Sequence, residues 1–190
     1  MSPGRDDFDF RSKWAVNVDE MMRHLNEWQP TIIHFSGHGT HSAGISIYVH
    51  DHQHQPRPPV RDIEAAGGAG IYLQEEHRSQ YVSEHALAQI IASAAPSARL
   101  VVLNACFSDA VAESLRHTVD CVVGIHGEIG DDAARSFAVG FYRALGNRRS
   151  IGNAVAQAVA TLTAKHFSYA RRPVCRTRDG ISADQVFLQA

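Results

Sequence analysis

Two short runs hold the side chains best placed to do chemistry: Ile32-Ile33-His34-Phe35-Ser36-Gly37-His38-Gly39 and Leu100-Val101-Val102-Leu103-Asn104-Ala105-Cys106. Each carries an apolar, β-branched stretch into small residues and a reactive group. Such a stretch predicts a buried strand whose end stands at the rim of a sheet, and in an open parallel sheet ligands bind at that carboxyl edge. Cysteine attacks as thiolate, yet a free thiol with a pKa of about 8.5 is only a few per cent ionised at neutral pH. A histidine beside it raises that fraction and then hands a proton to the leaving group. Cys106 is therefore the candidate nucleophile and His38 the candidate base. Gly37 and Gly39 let the backbone turn sharply around His38 and let a substrate chain come close. A glycine N–H there, with the N–H of Cys106, is the candidate pair of donors to a developing oxyanion. Position 106 also lies between a strand and the start of a helix, which favours negative charge.

The remaining histidines and cysteines read more plainly. His50, His52 and His54 alternate and would share one face of a strand, but prolines follow and no ordered ligand set accompanies them, so they read as a solvated loop rather than a zinc site. His34 reads as a hydrogen-bonded histidine of the core or one that supports the site from behind, His41 as a loop residue. His126 follows a third apolar run and is a cleft candidate. Cys106, Cys121 and Cys175 make an odd count without metal-type spacing, so free thiols are expected, Cys121 buried and Cys175 exposed among arginines. The chemistry at Cys106 and His38 calls for no metal and no cofactor.

Positioning those groups needs a core, and 190 residues with 44% hydrophobic and 20% charged side chains suffice for one domain spanning 1–190. A net charge of -2 gives no attraction for phosphate backbones, so nucleic acid is a poor partner. There is no apolar run long enough to span a bilayer and no secretion-type leader, so the expected compartment is the cytoplasm.

The expected elements alternate. Residues 8–18 read as a strand or extended arm, with Asn17 or Asp19 capping a helix over Glu20–Trp28 that Pro30 ends. Thr31–Phe35 is a buried strand and Ile45–Val49 and Ile71–Leu73 short ones; the turn-rich stretch 50–70 between these reads as a mobile surface loop, and residues 42–69 as an inserted one. A helix capped by Ser83 runs to Ala94, then come the strand Leu100–Leu103, a helical Asp109–His117 and the strand Val119–Ile125. Asp131 or Asp132 caps a long helix closed by Gly146, and Ile151–Leu162 is a further helix. Val186–Leu188 reads as a last short strand. Near-continuous apolar strands between helices argue an α/β fold with a mostly parallel sheet covered on both faces.

Several blocks in order now carry a resemblance: His34-Phe35-Ser36-Gly37-His38-Gly39, Leu103-Asn104-Ala105-Cys106-Phe107-Ser108, Val122-Val123-Gly124, Asp132-Ala133-Ala134-Arg135-Ser136-Phe137 and Phe141-Tyr142-Arg143-Ala144-Leu145. Together they resemble the CHAT domain, a branch of the caspase-like cysteine peptidases, over about residues 8–162. The resemblance implies a caspase-like three-layer sandwich, His38 and Cys106 as catalytic dyad, and the N–H groups of Gly39 and Cys106 as oxyanion hole. It further implies metal-free cleavage of a protein or peptide substrate, often governed by a recognition module in bacterial signalling or defence.

The chain departs from the pattern in three places. Such domains usually open with a strand and helix ahead of the equivalent of residues 8–18, and too few residues stand there, so either that strand and helix are missing or another segment or a second chain fills the slot. The stretch 42–69 is longer than the pattern. Asn104 stands two before the nucleophile, where relatives selective for basic residues carry Asp, while Asp131 and Asp132 remain candidates to attract a basic side chain. The alternative from another class is an inactive caspase-like scaffold that binds partners through the cleft or an open sheet edge. A thiol acyl transferase using the same pair is a third.

Overall fold

The computed structural model describes residues 8–40, 68–75, 78–168, 170 and 172–188. The spine is a four-stranded sheet in the order β1 (Ile32–Ser36), β5 (Leu100–Asn104), β6 (Cys121–Ile125), β7 (Pro173–Thr177). β1, β5 and β6 run parallel, and β7 closes the sheet antiparallel to β6. β5 and β6 are buried along their whole length, which is why no polar alternation marks them. A second, antiparallel sheet joins β2 (Gly39–Thr40), β3 (Gly70–Glu75) and β4 (Arg78–Ser83).

Successive side chains of a strand point to opposite faces, so β5 feeds two cores. Leu100 and Val102 pack on the side of α4 (Asp131–Gly146) and α5 (Ile151–Ala164), around Phe137, Phe141 and Leu145. Val101 and Leu103 pack on the other side with α1 (Val18–Trp28), α2 (Glu84–Ala94), α3 (Asp109–Leu115) and the smaller sheet. The result is the mixed α/β sandwich with helices on both faces that the sequence led us to expect.

Local chemistry sets the helix starts. Asn17 Oδ1 accepts the N–H of Glu20 at 2.8 Å while the Glu20 carboxylate accepts the N–H of Asn17 at 3.2 Å, so a reciprocal capping box opens α1. Ser83 Oγ accepts the N–H of Ala86 at 3.2 Å and opens α2. At α4, by contrast, Gly130 takes the cap and Asp131 and Asp132 lie inside the first turn, where their charge suits the helix N-terminus without a cap hydrogen bond.

Three further expectations are corrected. Of the two forms expected for residues 8–18, the strand is not formed: residues 8–17 precede α1 outside any strand or helix. The tail forms a short 3-10 turn at Ala183–Gln185, and Val186–Leu188 joins no sheet; the Val186 carbonyl instead accepts the first N–H of α5, from Ile151, at 2.9 Å. Cys175 is half-buried, not exposed: it lies on β7 opposite Val123, and its interaction with buried Cys121 pushes the Cys121 thiol up and draws that of Cys175 down. The expected strand Ile45–Val49, His41, the histidines at 50, 52 and 54, and residues 42–67 of the expected insertion lie outside the described residues.

Candidate active site

Ser36 of β1 pairs with Asn104 of β5, the last rung of that parallel ladder. Because the strands run the same way, His38 and Cys106 follow this rung by equal steps at the same end of the sheet. His38 is exposed and Cys106 half-buried. Their backbones meet through Gly39, where a Cβ would run into the Cys106 carbonyl oxygen, so only glycine permits this approach.

The His38–Gly39 peptide is fixed from behind. The His38 carbonyl accepts the N–H of Tyr72 on β3 at 3.0 Å. In a trans peptide the N–H points opposite to the carbonyl, so the Gly39 N–H faces away from β3.

The nucleophile turn is held as firmly. Phe107 takes φ 56°, a region a bulky residue rarely adopts, and its N–H donates to the Gly127 carbonyl at 2.7 Å. Cys106 Sγ lies 3.4 Å from the N–H of Ile129, which donates to it, and 3.6 Å from the Ile129 carbonyl. That loop is fixed in turn by Arg172, whose carbonyl accepts the N–H of His126 at 2.7 Å and whose guanidinium donates to the Glu128 carbonyl. None of these backbone partners carries a signal in the sequence.

The other candidate residues have environments of their own. Asn104 is buried, and its side-chain N–H donates to the Ala134 carbonyl in the first turn of α4 at 3.1 Å, while its Oδ1 has no hydrogen-bond partner. Asp131 and Asp132 are exposed and line an open groove with Gly130, Ala133, Arg135 and Phe167, a groove lined by neither Cys106 nor His38. His126 is exposed, and its Nδ1 lies 2.6 Å from the Asp109 carboxylate. His34 is hydrogen-bonded, as expected, but half-buried on the edge strand rather than in the core: its Nδ1 is 2.7 Å from the Tyr142 hydroxyl. Burial holds the His34 imidazole below its usual pKa and the Tyr142 phenol above its own, so both groups are favoured in their neutral forms. Among the described residues, no group of three or more His, Cys, Asp or Glu side chains could hold a metal ion. Nor is any described helix long and apolar enough to cross a membrane.

A mostly parallel α/β sandwich with a cysteine and a histidine following the last rung of neighbouring strands is the class of architecture that caspase-like domains share. The sequence matches the CHAT domain family over residues 5–173, and the chain belongs to that family. It is similar, at 26% identity over 155 residues, to a protein named Roc-COR-CHAT protease from an unknown prokaryotic organism. The match covers 82% of this chain and 13% of that much longer relative.

Proposed function

We propose that this chain is a cysteine endopeptidase that cleaves a protein substrate through Cys106 and His38. The observation that carries the reading is the shared rung Ser36–Asn104, from which both residues depart in the same direction on adjacent strands. The close passage of Gly39 over Cys106 supports it.

In the proposed reaction the Cys106 thiolate attacks the scissile carbonyl carbon, and the N–H groups of Gly39 and Cys106 take up the resulting oxyanion. As the C–N bond breaks, protonated His38 gives its proton to the departing amine, leaving a thioester on Cys106. A water molecule, deprotonated by His38, attacks the thioester carbon; the C–S bond breaks and the acid leaves. Asn104, Asp131, Asp132 and His126 are the residues proposed to shape the substrate site around that carbon.

The relative's name combines CHAT with further parts, and the outer edge of β1 pairs with no strand among the described residues. We read that edge as the place where another segment or a second chain adds a sheet element, under a recognition module in bacterial signalling or defence.

One observation favours a scaffold instead: the Cys106 sulfur lies within reach of the Ile129 backbone, which could hold it at rest. A peptide-based thiol trap decides between them. A peptidase is labelled at Cys106 and loses labelling when His38 is replaced, whereas a scaffold is not labelled.

A further inference from the structure

Ser108 stands where a helix cap should be, yet its side chain makes no cap hydrogen bond to α3. It turns inward and is fully buried. Its Oγ lies 2.7 Å from the Ala105 carbonyl and 2.8 Å from the Leu103 carbonyl, and it accepts the N–H of Ile125 at 2.9 Å. One oxygen thus joins β5, the nucleophile turn and the end of β6. Gly124 makes room for it, since a Cβ there would sit 2.7 Å from the Ser108 carbonyl oxygen.

The Ala105 carbonyl belongs to the same peptide as the Cys106 N–H. In a planar trans unit, pinning the oxygen on one side aims the N–H to the other. The His38–Gly39 peptide is built alike, with Tyr72 behind its carbonyl. Both N–H groups proposed to meet the oxyanion are therefore braced from the rear, one by a sheet hydrogen bond and the other by a side chain.

We infer that Ser108 is a positioning residue that aims the Cys106 N–H at the oxyanion of the reaction proposed above, on which this inference rests. Its hydroxyl never touches substrate. It acts by fixing a dipole before charge develops, which favours the transition state over the bound substrate.

The test compares wild type with Ser108→Ala and Ser108→Thr, using fluorescent casein for turnover and a mixture of tripeptide aldehydes varied at the last residue. An aldehyde forms a tetrahedral adduct on Cys106 and so reads oxyanion binding. Iodoacetamide alkylates the same sulfur without forming an oxyanion. Ser108→Ala is expected to lower kcat and aldehyde affinity together by roughly 10- to 100-fold. KM and the rate of alkylation should stay within about twofold of wild type, and Ser108→Thr should restore most of the loss. Should the alanine variant fail to fold, Ser108→Cys fills the site with a somewhat larger side chain and a weaker donor and is expected to show the same split.

Unchanged kcat and aldehyde affinity in the variants overturn the inference, as does a parallel loss of alkylation, which would mean that the sulfur itself had moved. A wild-type protein that reacts with neither aldehyde nor thiol trap overturns the peptidase reading instead, and the two failures are told apart by the wild-type arm alone.

Discussion

Gly39 crosses the Cys106 carbonyl so closely that a single methyl group on its α-carbon would overlap the oxygen. The atom in the way is backbone and has no rotamer to escape into. Gly39→Ala should therefore push the β1–β2 connection off the nucleophile turn, at a cost of about 1–3 kcal/mol. Thermal unfolding and turnover of the purified variant check this, with turnover falling well beyond what lost stability explains.

Cys106→Ala is expected to abolish cleavage of any substrate and to change stability by less than about 1 kcal/mol, since a half-buried thiol is exchanged for a small apolar group. His38→Ala should lower kcat/KM by roughly 10²- to 10⁴-fold. Turnover that survives in the cysteine variant would show that the nucleophile is elsewhere, and a loss of only severalfold in the histidine variant would make that residue structural.

His34 gives the fold a dependence on acid. Its folded pKa lies below the ordinary 6.5, so the unfolded chain takes up the proton more readily and stability falls as pH drops below 6.5. The stabilisation is complete above that value. Replacing Tyr142 by Phe leaves the His34 nitrogen without its 2.7 Å partner and should cost roughly 1 kcal/mol near neutrality. Melting temperatures across pH check both: His34→Gln should flatten the acid slope, and an unaltered slope would exclude His34 as its source.

Chelators should leave peptidase activity untouched, because every proposed step is carried by a thiol, an imidazole and backbone N–H groups. Inactivation by a chelator, restored by zinc, would bring His50, His52 and His54 back as metal ligands.

What the sequence disclosed follows from where burial is two-sided. β5 and β6 stand out as unbroken apolar runs, and the caps at Asn17 and Ser83 are local motifs. β4, with Arg78, Ser79 and Gln80, and β7, with Pro173 and Arg176, are strands because of their neighbours across the ladder, which no local pattern announces. Val186 and Leu188 misled for the opposite reason: they are buried in the α4–α5 core but hydrogen-bond to no strand. At the candidate site, the spacing of His38 and Cys106 was readable from the strand ends. Ser108, Tyr142 and the Ile129 backbone were not, since their roles depend on contacts across the fold.

Wedged by side chains on both sides, β5 resembles a rod gripped along its whole length, and the turn that carries Cys106 is an extension of it, clamped again by Ser108 and the Gly127 carbonyl. How far the sulfur wanders is then set by those clamps together with the stiffness of the grip at Leu100, Val101, Val102 and Leu103. Core substitutions remote from any substrate should blur the aim of the thiol long before they unfold the chain.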